Sequence, residues 1–269
     1  MSIIDAIILG IVQGVTEFLP ISSSGHLILM RDLLGIDVMG SLAFDAVLQL
    51  ATTFAVILYF RADLWQLVQT ALRKLGRLPV NPKELTLLYA LLIGTIPAVI
   101  AGVLLESYMD SIFRNGLLVA GVLVLGSLLF IYAEWIYYKS VPQNVMTVKK
   151  GFQIGLFQCL ALVPGMSRSG ASIAGGMLLG LSRSEAARFS FLLAIPILMG
   201  SGGKKLIDLI RVGGEYDWAS LILGSGVAFV TGLIAIHFLL TFIRRHSLWP
   251  FIWYRLLLAS FVLYIYLIA

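Results

Sequence analysis

Charge is scarce in this chain: 12% of its 269 residues are Asp, Glu, Lys or Arg, against about a quarter in a soluble domain. With 59% hydrophobic residues and a mean hydropathy of +0.98, that scarcity excludes a cytosolic globule, a disordered chain and a nucleic-acid reader. Cysteine is nearly absent as well. Cys159 stands alone in an apolar run, which excludes an intrachain disulfide and a cysteine metal cluster and leaves the redox compartment unread. No CxxC pair, HExxH or P-loop occurs, so neither a zinc site nor a nucleotide fold is signalled. The first 30 residues hold no Lys or Arg but do hold Asp5 and Glu17, so no cleaved basic leader is expected. The 19 basic against 14 acidic residues, a net charge of +5, are read as loop charge that orients the chain in a bilayer.

What is abundant is apolar sequence. A membrane-crossing helix needs about 20 predominantly apolar residues, and six stretches reach that length: 42–60, 85–105, 116–138, 189–210, 218–243 and 248–268. Residues 3–30 and 151–181 are apolar too, but each is interrupted by a Pro/Ser/Gly island, PISSSGH at 20–26 and PGMSRSG at 164–170. Each half is too short to cross. Irregular backbone at membrane depth is tolerated only where protein or a water-filled cavity surrounds it, so both are expected to be re-entrant helical hairpins. One long kinked helix at each position is the competing reading. The expected fold class is therefore an all-α polytopic membrane protein with six transmembrane helices and two re-entrant hairpins.

The hairpins resemble each other at a fixed offset of 145 residues: Gly10, Gln13, Ser22, Ser24 and Gly25 correspond to Gly155, Gln158, Ser167, Ser169 and Gly170. Phe44 and Leu48 match Phe189 and Leu193 at the same offset, and Pro20 and Pro164 lie one position out of step. One integral-membrane domain, 1–269, thus divides into repeat 1 at about 1–145 and repeat 2 at about 146–269. Each repeat holds one hairpin and three spans. Because three is odd, the second half is inverted relative to the first, the architecture in which sites form from broken helices at the repeat interface.

Loop charge sets the expected orientation. Placing the loop 61–84 inside puts twelve basic residues there: Arg61, Arg73, Lys74, Arg77, Lys83, Lys139, Lys149, Lys150, Arg183, Arg188, Arg244 and Arg245. Five, Arg31, Arg114, Lys204, Lys205 and Arg211, fall outside. Both termini are then outside, and the hairpins enter from opposite faces with their tips near the midplane.

Ionisable groups within membrane segments are functional candidates by default. Gln13, Glu17, Ser22, Ser23, Ser24 and His26 lie within 14 residues of the first hairpin. Gln13 and Glu17 are four apart, hence on one helix face, and Pro20 ends that helix. The second hairpin supplies Ser167, Arg168 and Ser169 between Gly165 and Gly170. A Gly- and Ser-rich turn leading into a helix offers backbone N–H groups and the positive end of the helix dipole to an anion. Two such turns with an arginine between them describe a phosphate or diphosphate clamp, since the guanidinium forks onto phosphate and stays charged when dehydrated. The diphosphate-binding candidates are Gln13, Ser22, Ser24, Gly25, Gly165, Ser167, Ser169 and Gly170. The carboxylate, histidine and hydroxyls add what phosphoryl transfer needs: a nucleophile, a proton acceptor and charge stabilisation. Glu17 is also the candidate to help hold Mg²⁺ or Ca²⁺ beside phosphate oxygens.

The runs QGVTEFLPISSSGH (13–26), LVPGMSRSGASI (162–173) and LSRSEAARFSFLLAIP (181–196) resemble the BacA-type undecaprenyl-diphosphate phosphatases, the bacitracin-resistance family. In that family's pattern of Glu or Gln, three residues, then Glu, the matching positions are Gln13 and Glu17. The family's serine falls on Ser23, its histidine on His26 and its PGxSR arginine on Arg168, preceded by Ser167. The resemblance implies hydrolysis of a polyprenyl diphosphate to the monophosphate and inorganic phosphate, recycling the lipid carrier for peptidoglycan synthesis. It implies divalent-metal dependence, a multi-pass protein of the inner or plasma membrane, a site open to the extracytoplasmic side, and competition from bacitracin, which binds the substrate. The catalytic candidates are Glu17, Ser23, His26 and Arg168: Glu17, directly or through His26, takes a proton from Ser23 or from water, and Arg168 stabilises the transferred phosphoryl group. Attack by Ser23, His26 or water remains open at this stage. A polyprenyl-phosphate transporter or flippase on the same inverted repeat is the alternative.

Other polar positions have blander expectations. Asp45 and Gln49 share a face toward the hairpins and are read as support. Glu134, near Trp135, Tyr137 and Tyr138, is read as an interface residue at a span end, His237 as a helix contact, and Arg255 as snorkelling to the interface. Residues 64–78 read as a helix lying on the membrane surface. Gly94, Gly102, Gly121, Gly126, Gly224 and Gly226 permit close helix approach, serving either the fold or a homodimer contact.

Overall fold

The computed structural model describes residues 2–35, 41–111, 116–212 and 217–268, and within them every regular element is helical. The helices are α1 (Ile3–Phe18), α2 (Ser23–Leu34), α3 (Ser41–Tyr59), α4 (Arg61–Leu75), α5 (Pro82–Ser111), α6 (Gly116–Lys139), α7 (Val148–Cys159), α8 (Arg168–Leu178), α9 (Arg183–Val212), α10 (Trp218–Phe242) and α11 (Trp249–Ile268), with one 3-10 turn at Leu160–Leu162. Local chemistry accounts for several of the helix ends. Ser2 and Asp5 form a reciprocal capping box on α1, with Ser2 N donating to Asp5 Oδ2 at 2.8 Å and Asp5 N to Ser2 Oγ at 3.2 Å. Thr147 caps α7 and Asp217 caps α10, each accepting from the N–H three residues on. Gly35, at φ +61°, closes α2 in the left-handed conformation.

Five of these helices, α5, α6, α9, α10 and α11, are long and apolar enough to cross a bilayer. A sixth candidate is the pair α3 and α4, which bends by 77° at Phe60. Much of the outer surface is apolar: Leu92, Ile96, Val99 and Val103 on α5 are all exposed. In water such a face would be an aggregation liability, and in hydrocarbon it is solvated. α4 has a different character, with Trp65, Val68 and Leu72 exposed beside Arg73 and Lys74 while Leu67 is buried.

The two interrupted segments break into short helices where the Pro/Ser/Gly islands lie. α1 has 16 residues and α2 has 12, about 24 and 18 Å at 1.5 Å per residue; α7 and α8 have 12 and 11. None matches the roughly 30 Å hydrocarbon thickness. Each leading helix packs on a helix from the other half, α1 along α10 and α7 along α5. These contacts are backbone to backbone. A Cβ on Gly10 would overlap the Gly224 carbonyl, and one on Gly155 would overlap that of Gly94. Gly94, Gly126 and Gly224 therefore serve the fold, whereas Gly102, Gly121 and Gly226 face open space. Between these pairs, α3 packs on α9 and α10, α6 packs on α11, and α8 packs on α6, α7 and α9. The main apolar cluster joins α1, α6, α7, α8 and α9 through Phe18, Phe130, Ile154, Ile173 and Phe191.

The structure corrects the sequence-based expectation for Glu134. Its side chain is fully buried, paired with Arg183, and accepts from Leu248 N at 2.7 Å. Arg183 in turn lies over the Tyr137 ring at 4.0 Å. The aromatics at this end shield an ion pair that ties α6, α9 and the start of α11 together. His237 does make a helix contact, with Tyr59 Oη 3.2 Å from its Nδ1.

Candidate active site

Pro20 cannot continue α1, and the chain turns through Leu19–Ser22 before α2 begins. Ser22 occupies φ +76°, ψ +94°, a sparsely populated region for a residue with a Cβ. Its Oγ accepts from Gly25 N at 3.3 Å, capping α2, and from Gly165 N of the other turn at 3.1 Å. Ser167 repeats the arrangement before α8, at φ +74° and ψ +114°, with its Oγ accepting from Gly170 N at 3.1 Å. Ser169 Oγ donates to Leu19 O at 3.2 Å, so the turns are joined in both directions. Gly165, at φ +99°, lies against Val119 and Val122 of α6, where a side chain would not fit. Strain of this kind costs about 1–3 kcal/mol per residue and persists only where the surroundings hold it. Here the cross-turn hydrogen bonds hold it.

Glu17 is the hub. Its Oε2 accepts from Gln13 Nε2 at 2.9 Å and from Ser23 Oγ at 2.6 Å, and its Oε1 accepts from Arg168 Nη2 at 2.7 Å. Gln13 and Glu17 are buried while Ser23, Ser24 and Arg168 are partly open, so the carboxylate lies beneath a serine and an arginine that a ligand can reach. Breaking a buried ion pair by removing one partner costs about 3–5 kcal/mol. Within this network two buried polar atoms, Arg168 Nη1 and Gln13 Oε1, have no hydrogen-bond partner among the described residues. Buried orphans of this kind call for a partner, and for a guanidinium N–H that partner is an acceptor such as a phosphate oxygen. By helix geometry the first N–H groups of α2 and α8 also lack intrahelical acceptors.

Of the sequence-predicted residues, the structure joins Gln13, Glu17, Ser23 and Arg168 in one network and links Ser22, Gly25, Gly165, Ser167, Ser169 and Gly170 in the interlocked turns. Ser24 lies 3.5 Å from Ser22, hydroxyl to hydroxyl. His26 is placed differently. Its Nδ1 lies 2.7 Å from Ser22 O and must donate to that carbonyl, while its Nε2 lies 2.7 Å from Tyr254 Oη, with the two rings stacked at 5.6 Å. Ser23 reaches Glu17 without it. Asp45 pairs with Arg31 of α2, supporting the first hairpin from α3.

Arg255 overturns its expectation. It is fully buried rather than snorkelling, and it donates to both turns: Nη1 to Pro20 O at 3.4 Å and Met166 O at 3.1 Å, Nη2 to Gly165 O at 3.0 Å. Nη2 also reaches Leu123 O at 3.2 Å, and Nε reaches Ser127 Oγ at 3.3 Å. Phe130 lies under the guanidinium at 4.9 Å, and a Cβ on Gly126 would overlap it. Among the described residues no carboxylate pairs with it. The signal in the sequence was an arginine several residues inside an apolar span. Tyr254 carried no signal, because a tyrosine near a span end is ordinary.

Among the described residues no three His, Cys, Asp or Glu side chains lie together as ligands, and both oxygens of Glu17 are engaged. This donor set does not fit a metal held by the protein alone.

Fold and site together define a polytopic helical membrane protein with a buried carboxylate, serine and arginine assembled between two broken helices. Comparison with known families agrees with that class. The family model described as bacitracin resistance protein BacA matches residues 6–261, and the chain belongs to that family. Similar curated proteins include undecaprenyl-diphosphatases from Alteromonas mediterranea, 39% identical over 98% of both chains, and Idiomarina loihiensis, 42% identical over 98% of this chain and 99% of the relative. One from Trichlorobacter lovleyi is 43% identical over 95% of this chain and 94% of its own.

Proposed function

We propose that this protein hydrolyses undecaprenyl diphosphate to undecaprenyl phosphate and inorganic phosphate. Family membership and full-length relatives of that name support the reaction. The observation that carries the chemistry is the Ser23–Glu17–Arg168 chain, which joins a hydroxyl, a carboxylate and a guanidinium from two hairpins through contacts of 2.6 and 2.7 Å. Ser23 Oγ attacks the terminal phosphorus and passes its proton to Glu17 Oε2. The bond from that phosphorus to the bridging oxygen breaks, and the lipid monophosphate leaves with the bond's electron pair. Glu17 gives that proton to the departing monophosphate; water then attacks the phosphoserine, Glu17 taking the water's proton and returning it to Ser23 Oγ as the serine–phosphorus bond breaks and inorganic phosphate leaves. Arg168, through Nη1, and the N–H groups opening α2 and α8 stabilise charge on the equatorial oxygens. His26 positions the first turn and is outside the proton path. A transport reading is not favoured, since carriage requires no serine aimed at a carboxylate.

A divalent cation belongs in this reading only as a companion of the substrate, with diphosphate oxygens supplying most of its ligands, and no step runs through it. The reading also includes two inverted repeats of one re-entrant hairpin and three spans. The matched serine caps and the crossed packing of α1 on α10 and α7 on α5 support it. Family membership supports placement in the inner or plasma membrane with the site opening outward, and loop charge supports both termini lying outside. Bacitracin competes by sequestering the diphosphate, and the outward-facing Gly102 and Gly121 are available to a homodimer.

The test is phosphate release from undecaprenyl diphosphate in detergent. Glu17→Gln, Ser23→Ala and Arg168→Ala are each expected to lower turnover at least about 10³-fold, in the range for loss of an acid–base or nucleophilic group. Wild-type turnover in all three would overturn the assignment.

A further inference from the structure

A second feature lies far along the chain from Glu17. α3 ends at Tyr59 beside the last turns of α10, and between them runs an open groove of about 940 Å³. Its floor is apolar, with Leu233, Ile234 and Phe238 along α10, and its far end is basic, with Arg244, Arg245 and His246. Ile234, Phe238 and Thr241 fall at helical spacing on one stripe of α10, and the turn that follows the helix carries Arg244 and Arg245, so apolar contact gives way to positive charge at the end of the helix. The aromatic rings order this end: Phe242 stacks on Phe238 at 5.6 Å and on His246 at 4.4 Å. His246 is exposed, with its Nδ1 3.1 Å from Phe242 O.

Two independent features place the basic end at the membrane surface. The chain bends by 77° at Phe60, next to the groove, from α3 into the amphipathic α4. Trp249 and Trp253, 6.3 Å apart, open α11 just beyond His246, in the manner of an interfacial aromatic belt. The charge is also uncompensated. Arg244 and Arg245 are exposed and pair with no acid among the described residues, while Asp63 and Glu134 at this end are engaged by Arg188 and Arg183.

We propose that this groove is a binding site for one anionic glycerophospholipid, an acyl chain lying along Ile234 and Phe238 and the phosphate held by Arg244, Arg245 and His246. Charge complementarity selects the occupant, since two guanidinium forks at headgroup depth favour an anionic phosphate over a zwitterionic headgroup. The full-length protein in detergent is titrated with phosphatidylglycerol and with phosphatidylcholine of the same chains, and bound lipid is counted by native mass spectrometry. Phosphatidylglycerol binds preferentially, and the double variant R244Q/R245Q weakens its binding about thirtyfold, about fivefold for each arginine. Phosphate release stays at the wild-type rate in that variant, which shows that it is folded. R73Q/K74Q, removing two exposed cations from α4, leaves the lipid affinity unchanged. Equal binding of the two lipids, undiminished phosphatidylglycerol binding by R244Q/R245Q, or an equal loss in R73Q/K74Q overturns the proposal.

Discussion

Replacing Arg255 tests how the two turns are held. Its guanidinium satisfies three turn carbonyls, those of Pro20, Gly165 and Met166, at 3.4, 3.0 and 3.1 Å. Arg255→Met keeps the length of the side chain but leaves those acceptors unsatisfied, at about 1–3 kcal/mol for each buried group. Set against that is the desolvation of a guanidinium with no carboxylate partner, itself several kcal/mol, which methionine removes. The two effects are of similar size and opposite sign, so overall stability changes little. Geometry has no such offset. Pro20 is three residues from Ser23, and Gly165 and Met166 lead directly into Ser167 and Arg168. A shift of about 1 Å between reacting groups costs about 10²-fold in rate. Arg255→Met is therefore expected to elute as a monodisperse, thermally cooperative protein with kcat for phosphate release lowered about 10²-fold and KM changed far less. Arg255→Lys separates charge from position: one ammonium cannot span both turns, so a positioning role leaves it well below wild type. Wild-type kcat in Arg255→Met refutes the reasoning. Full rescue by lysine shows instead that only the charge matters.

Other expectations follow from single contacts. At Ser22, alanine keeps a Cβ at φ +76° and loses both hydrogen bonds, whereas glycine relieves the strain, so Ser22→Ala is expected to be the less stable variant by about 1–3 kcal/mol in thermal unfolding. The reverse order would show that the turn is unstrained. Gly126→Ala drives a methyl into the Arg255 guanidinium, and a loss of about 1–3 kcal/mol from overpacking should accompany a drop in phosphate release. A neutral outcome would mean that α6 and α11 can separate freely. Tyr254→Phe removes the hydroxyl at His26 Nε2, yet turnover should stay within about tenfold of wild type, below the range for losing an acid–base group. A loss of about 10³-fold would bring His26 back into the proton path.

The elements most legible in the sequence were those with strong local causes. Apolar length marked the five crossing helices and α3, and Pro20 and Pro164 marked the two breaks, because proline and hydrocarbon thickness act on any chain alike. Gln13 and Glu17 were readable as neighbours from their spacing, and the serine turns from composition. The pairing of Glu17 with Arg168, 151 residues away, was expected only as two turns facing each other. Its hydrogen-bond directions were not legible, nor was the partner of His26, Tyr254 of the last helix.

Arg255 and Glu134 show where local reading ends. Both were read as interfacial, since a long or charged side chain near a span end can reach water unaided. Whether it does depends on what packs around it. Gly126 and Phe130 of α6 enclose Arg255, and Arg183 of α9 meets Glu134, contacts that arise only after the helices assemble. The sequence by itself determined that lipid is the solvent, where the helices break and which polar groups stand at the breaks, because hydration and proline chemistry are local. Tertiary structure alone decided which of those groups touch and which cation locks the two turns together, because a buried charge is placed by its neighbours.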